Sequence, residues 1–181
     1  MHYMILTMGL LLSCIISPAQ HTYLTTFSSY NSLGFLAGKS PVAFTAQTVN
    51  GIGFHGWFAG AGFGTDNYFI SSLPLFFDVK KEIAFKKIRL FLFGDAGTHF
   101  ITRDKTTTTA FSSTTTKGNL YFEGGAGFKI KTVKKSHVYF SIGNTLKKIE
   151  QSETSHDTGF PYSYKTSYTL SRISFRMGYQ F

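Results

Sequence analysis

The chain ends on SRISFRMGYQF, residues 171–181, in which every second residue is apolar or aromatic. Ile173, Phe175, Met177, Tyr179 and Phe181 fall on one side, and Arg172, Ser174, Arg176, Gly178 and Gln180 on the other. A two-residue period marks a strand whose two faces meet different surroundings. Two settings produce such a strand. One is a half-buried strand of a soluble β-sandwich. The other is a membrane strand with lipid on one face and a wet lumen on the other.

Seven further segments carry comparable patterning between turn signals: residues 22–37, 41–49, 55–64, 68–80, 88–101, 118–132 and 136–148, with the last strand over 165–181. The alternation is clear from the third onward. Trp57, Ala59, Ala61 and Phe63 oppose Phe58, Gly60, Gly62 and Gly64. Leu73, Leu75, Phe77 and Val79 oppose Pro74, Phe76 and Asp78, while Ile88, Leu90 and Leu92 oppose Arg89, Phe91, Phe93 and Asp95. Leu120, Phe122, Phe128 and Ile130 oppose Tyr121, Glu123, Lys129 and Lys131, and Val138, Phe140 and Ile142 oppose His137, Tyr139 and Ser141. Turns are expected at Gly38-Lys39-Ser40-Pro41, at the dipeptide Asn50-Gly51, at Thr65-Asp66-Asn67 and over 81–87.

Two connections are long: Arg103–Lys117, whose Thr/Ser tract Thr106–Thr116 reads either as a flexible surface loop or as a hairpin extending the fifth and sixth strands beyond the membrane, and Ile149–Tyr164. They are the fifth and seventh connections. In an up-and-down barrel alternate connections reach the same rim, so both long loops share one rim, the extracellular one in outer-membrane barrels.

The bulk composition points the same way. Charged residues make up 15% and aromatic residues 17% of the 181, with 20 Phe, against about 25% charged in ordinary soluble domains. The formal net charge is +9, but Lys and Arg occur in short doublets, Lys80-Lys81, Lys86-Lys87, Lys134-Lys135 and Lys147-Lys148, which read as interfacial turns. No helix-turn-helix, zinc-finger or RNA-binding pattern accompanies them, so no nucleic acid partner is expected.

The stretch from Met4 to Ile16 is an apolar core too short for a helical span, followed by Ser17-Pro18-Ala19. It reads as a signal peptide over residues 1–19, leaving 20–181 as the mature barrel. Cys14, the one cysteine, lies inside it; either it is lost on cleavage, or Leu11-Leu12-Ser13-Cys14 acts as a lipobox and Cys14 is lipidated. With cleavage before Gln20, disulfides and cysteine-based chemistry are excluded.

Hydrocarbon demands that every backbone N–H and C=O find an internal partner, and only helices and closed barrels meet that demand. After the apolar N-terminus no stretch is long enough for a helical span. The segments are long enough to cross as tilted strands and longer than the roughly 5–6 residues common in soluble sheets. The expected fold is therefore an all-β, eight-stranded antiparallel up-and-down transmembrane β-barrel, with the apolar face of the last strand toward lipid and its arginines toward the lumen, and with Phe91, Phe93 and Tyr121 on the inward face.

The stretches VNGIGFHGWFAGAGFGTDNY (49–68), LPLFFDVK (73–80), FLFGDAGTHF (91–100), GNLYFEGGAGFKIK (118–131), YFSIGNTLKK (139–148) and LSRISFRMGYQF (170–181) carry a family likeness. The chain resembles the small outer-membrane β-barrel domain proteins of Gram-negative bacteria, the class of OmpX-like and porin-family barrels, in the form common in Bacteroidetes. The resemblance implies outer-membrane residence, with outer-membrane lipid and lipopolysaccharide around the barrel. It also implies an encounter with the barrel-assembly machinery, whose C-terminal signal Tyr179 and Phe181 match.

An eight-stranded interior is filled by side chains. Asp78, Arg89, Asp95, Glu123, Lys129, Arg172 and Arg176 are the candidate lumen charges, and Asp95 and Glu123 are expected to face Arg172 and Arg176 in an ion network. His99 and His156 fall near or on the outer loops with Ser152, Ser155 and Asp157 close in sequence, the raw material of a lipid-modifying enzyme, but no H-E-x-x-H or G-x-S-x-G pattern supports them. No catalytic, cofactor or metal site is expected. The expected role is structural, or surface interaction with an extracellular protein through the long loops. A narrow channel and a lipid-modifying enzyme are the alternatives.

Overall fold

The computed structural model describes residues 25–38, 41–67, 70–85, 88–102, 106–108, 112–132, 136–155 and 162–181. The signal segment with Cys14, as well as His156 and Asp157, lies outside them. Among the described residues nine strands run in chain order: β1 (Thr26–Ala37), β2 (Ala43–Phe54), β3 (Trp57–Asp66), β4 (Ser72–Phe85), β5 (Ile88–Ile101), β6 (Thr106–Thr108), β7 (Ser112–Lys131), β8 (His137–Ser155) and β9 (Ser163–Gln180).

Every pairing is antiparallel between neighbours, and two of them close the ring. β5 pairs with β7 from Ile88↔Ile130 to Thr98↔Leu120. β1 pairs with β9 from Tyr30↔Gln180 to Ala37↔Ile173. The seam is fastened at its end by Phe181, whose N–H donates to the Ser29 carbonyl at 3.1 Å while its own carbonyl accepts from Ser29 N–H at 2.9 Å. The result is an eight-stranded closed barrel, and β6 is an added three-residue strand that continues the β5 side of its hairpin. Closure removes the open edges that hydrocarbon does not tolerate.

The two-residue period sorts the side chains as expected. Leu33, Phe35, Leu75, Phe77, Leu92, Phe122, Ile142, Phe175 and Met177 are exposed on the outer surface. Tyr30, Val49, Phe58, Phe76, Phe91, Tyr121 and Tyr139 are buried together inside, with Phe93 packed against them. A surface this apolar around a fully paired ring is suited to hydrocarbon and not to water. Phe27, Phe54, Trp57, Phe85, Tyr179 and Phe181 ring the rim that carries the chain end, the level at which aromatic girdles sit in such barrels.

The turn expected at Asn50-Gly51 is not there. Both residues lie inside β2, paired with Ala61 and Gly60. The chain reverses instead at His55-Gly56, with φ of 47° and 74°. Two successive left-handed residues match the twist of a tight hairpin, and Gly56 supplies one without a Cβ penalty. Gly51 has a different use: a Cβ there would come within 2.2 Å of the Ala59 carbonyl, so its glycine serves close packing inside the strand. The turn expected over 81–87 also shrinks, since β4 and β5 pair as far as Phe85↔Ile88.

Three strands outgrow the barrel. β7, β8 and β9 have 20, 19 and 18 residues against 10 to 14 in β1 to β5. Past the last barrel pairings, Ser112–Gly118 pair with Ile149–Ser155, Leu146–Thr154 pair with Ser163–Ser171, and Thr106–Thr108 pair with Ser113–Thr115. Much of what reads as two long loops is thus a sheet standing on the rim opposite the chain end. β-branched Thr suits a pleated surface, which is why a low-complexity Thr tract can extend a strand.

Candidate functional site

Two features of the barrel bring chemistry-bearing residues together: the charged lumen and the protruding sheet. The lumen is built by period two alone. Inward positions on β4, β5 and β7 place Asp78, Asp95 and Glu123 side by side as cross-strand partners. β9 delivers Arg172, Ser174 and Arg176 from its inward face.

Glu123 has 0% side-chain exposure and pairs with Arg176 Nη2. It also accepts from Ser174 Oγ at 2.7 Å and from Tyr121 OH at 2.6 Å. Asp95 is buried beside this pair, and Lys80 pairs with Asp78. Arg172 sits elsewhere: its Nη1 donates to the carbonyls of Pro41 at 2.9 Å and Leu36 at 3.4 Å, near the far rim. Of the four charges singled out in the sequence, Glu123 and Arg176 are in contact, Asp95 is adjacent and Arg172 braces the β1–β2 corner.

The lumen also holds Asp66, Glu82 and Lys147, which sequence reading placed in turns, and Lys129, a candidate lumen charge, joins them. Lys147 is buried against Asp66, and its Nζ donates to Ser72 Oγ at 2.9 Å. Lys129 pairs with Glu82 and donates to Gln180 Oε1 at 2.8 Å. The doublets Lys80-Lys81 and Lys147-Lys148 are therefore not interfacial turns; they lie within strands, where one lysine points in and its neighbour out. Lys80 faces the lumen while Lys81 sits over the Trp57 ring at 4.5 Å, outside. Continuing the alternation through each doublet is the signal that finds them. Arg89, in contrast, is a mouth residue, its side chain 54% exposed.

Buried charge is tolerated only when paired and hydrogen-bonded, and the pairs here follow that rule. Between them the aromatic cluster fills the middle of the lumen. A cavity of about 20 Å³ lies among Ser32, Asp78, Asp95, Phe91 and Arg176, close to the space one water needs.

His99 is not on a loop. It is buried on β5, facing inward beside the protrusion's base, where a Cβ on Gly118 would lie 2.0 Å from the His99 carbonyl oxygen. Gly118 pairs with Ile149, and Ser155 stands six residues further along β8, about 20 Å away at strand rise. The structure does not bring His99 and Ser155 into one set.

The protruding sheet has its own order. A bulge between Gly118 and Tyr121 shifts the register of β7 by one residue, which re-aims the side chains above it. Thr116 thereby joins Ile149, Gln151 and Glu153 on the face continuous with the lumen, and Gln151 Nε2 donates to Thr116 Oγ1 at 3.4 Å. Tyr162 and Tyr164 stack at 6.0 Å with a 17° interplanar angle, and Tyr168 is exposed beyond them. On the other face Lys165 and Asn119 hydrogen-bond Glu150, holding its carboxyl below the ordinary glutamate range. β9 pairs with β8 on one side over Ser163–Leu170, and among the described residues no strand pairs with its other side there.

No family model matches the chain, and no curated protein sequence does. Solved structures do resemble it. Outer membrane protein AlkL in lipid bilayers aligns over 86% of this chain and 88% of its own, with 13% identity and a TM-score of 0.50. The N-terminal β-barrel domain of Pseudomonas aeruginosa OprF aligns over 85% and 97%, with 11% identity and a TM-score of 0.45. At these identities the likeness to AlkL is one of fold. The chain is an eight-stranded barrel of the kind found among small outer-membrane proteins.

Proposed function

We propose that the protein is an outer-membrane barrel that works at its far rim, presenting the protruding sheet to an extracellular protein. The observation that carries this reading is the extension of β7, β8 and β9 beyond the ring, with exposed Tyr162, Tyr164 and Tyr168 and the unpaired edge of Ser163–Leu170. A free edge offers backbone donors and acceptors to an added strand. Tyrosines supply large contact area at low entropic cost. The filled middle of the lumen favours this role over a diffusion path. Among the described residues His99 and Ser155 stand apart on β5 and β8, so the reading rests on the protruding sheet and not on a catalytic set.

Cysteine substitution tests the orientation that this role requires. Thr166→Cys on β9 is expected to react with a membrane-impermeant maleimide on intact cells, while Gly53→Cys at the opposite rim reacts only after the envelope is opened. Labelling of Gly53→Cys alone on intact cells would invert the barrel and end the proposal. Planar-bilayer recordings separate the channel reading: discrete conductance steps from purified barrel would favour it.

A further inference from the structure

Three of the buried lumen carboxylates are ion-paired, while Asp95, buried beside them, has no ion pair among the described residues. Asp66 has Lys147, Asp78 has Lys80 and Glu123 has Arg176. At the mouth on the chain-end side cations outnumber carboxylates. Arg89 and Lys129 are direct cross-strand partners, and so are Lys131 and His137. All four side chains line one concave mouth of about 440 Å³, together with Ser28, Glu82 and Gln180. Glu82 is the one side-chain carboxylate in that lining, which also takes in the α-carboxylate of Phe181; Glu82 pairs with Lys129 and lies 3.6 Å from Arg89 Nη1. Lys131 makes no ion pair among the described residues, and the buried His137 Nδ1 has no hydrogen-bond partner.

Three fixed positive charges, Arg89, Lys129 and Lys131, against Glu82 and the α-carboxylate of Phe181 leave a surplus of one at this mouth, and Lys131 is the cation without an ion pair among the described residues. Like charges set opposite each other across a ladder oppose folding, so the arrangement is costly unless something offsets it. The available groups are a guanidinium fork, an ammonium and an imidazole, converging from β5, β7 and β8. Guanidinium and ammonium groups together are suited to oxyanions, and the fork in particular to the paired oxygens of a phosphate. Low-dielectric walls around a charged mouth strengthen the attraction.

We propose that this mouth is a phosphate-binding site in which Arg89, Lys131 and His137 contact the anion and Lys129, tied to Glu82, supplies field from below. A free phosphate-bearing solute and the headgroup of an anionic phospholipid present the same chemistry here. The site lies at the opposite end of the barrel from the protruding sheet, so it stands or falls separately from the extracellular role.

The test uses the exported, processed barrel in a maltoside detergent free of phosphate. Inorganic phosphate is titrated while the His137 ring resonances are followed by NMR, at ionic strength held constant with chloride. Saturable 1:1 binding is expected, with dissociation constants raised at least tenfold by Arg89→Gln and by Lys131→Gln. Both positions are at the rim, and the heat-modifiable gel shift checks that each variant still folds. In parallel, barrels in nanodiscs of phosphatidylcholine doped with phosphatidylglycerol are analysed by native mass spectrometry. One retained phosphatidylglycerol per barrel, lost in Lys131→Gln, identifies the headgroup as the source. Phosphate saturation without lipid retention identifies a soluble ligand. Absence of saturation by either, or equal binding by wild type and both variants, overturns the site.

Discussion

Replacing Arg176 with methionine removes the counter-ion of Glu123 at the centre of the barrel while keeping the length of the side chain. Arg176 and Glu123 have side-chain exposures of 6% and 0%, so solvent offers the orphaned carboxylate little relief. Breaking such a buried pair from one side costs about 3–5 kcal/mol. Glu123 keeps its bonds from Ser174 at 2.7 Å and Tyr121 at 2.6 Å, which places the expected loss at the lower end, about 3 kcal/mol. That is on the order of a hundredfold in the folding equilibrium. Adding Glu123→Gln removes the stranded charge yet keeps groups that can bond to Ser174 and Tyr121. The double variant should recover to within about 1.5 kcal/mol of wild type, the net worth of an ordinary hydrogen bond. The assay is urea unfolding of the barrel in lipid vesicles, read both by the emission of Trp57, the single tryptophan, and by the fraction of fast-migrating band on unboiled gels. If Arg176→Met costs under about 1 kcal/mol, or the double variant is no more stable than the single one, Glu123 is not a buried paired charge.

Other perturbations follow from the same geometry. Gly56→Ala places a Cβ on a residue with φ of 74°; a loss of about 1–2 kcal/mol is expected in the same urea assay, and Gly53→Ala, with nothing nearer than 3.5 Å, should cost less. Glu150 is held in its charged form first by the hydrogen bond from Lys165 and then by that from Asn119. Because its folded pKa is depressed, its contribution is present above the ordinary glutamate pKa and is lost as pH falls through the lowered value. Carboxyl-resolved NMR should show that low midpoint, and Lys165→Met should raise it. Lys147→Met strands Asp66 against Ser72, and should destabilise more than Lys148→Met, whose side chain lies on the outer face, by about 2 kcal/mol or more.

The barrel was legible from composition and local pattern because both are consequences of its surroundings. Lipid outside and packed side chains inside force alternation on every crossing strand, so Ile173, Phe175 and Met177 declare one face and Arg172, Ser174 and Arg176 the other without knowledge of any neighbour. Strand number, closure and the inward set on β3, β4, β5 and β7 follow from that period. What the period does not encode is where a strand stops. Asn50-Gly51 has the residues of a tight turn, but ten cross-strand partners between Thr45↔Asp66 and Phe54↔Trp57 outweigh that local preference, and the reversal moves to His55-Gly56. The Thr-rich tract reads equally as a surface loop or as a hairpin extending its flanking strands, and the pairing of β7 with β6 and β8 decides for the second.

Ion pairing was the least legible feature, and for a physical reason. Glu123 meets Arg176 across 53 residues and Lys147 meets Asp66 across 81, contacts set by which strand lies opposite in a ring and by its register. The sequence by itself determined that the chain would bury one face and offer the other to hydrocarbon. Only the tertiary structure decided which charges neutralise each other in the lumen, that Arg89, Lys129 and Lys131 gather at one mouth, and which three strands rise past the rim. Those outcomes depend on closure of the ring, and a one-dimensional period carries no information about the neighbour across it.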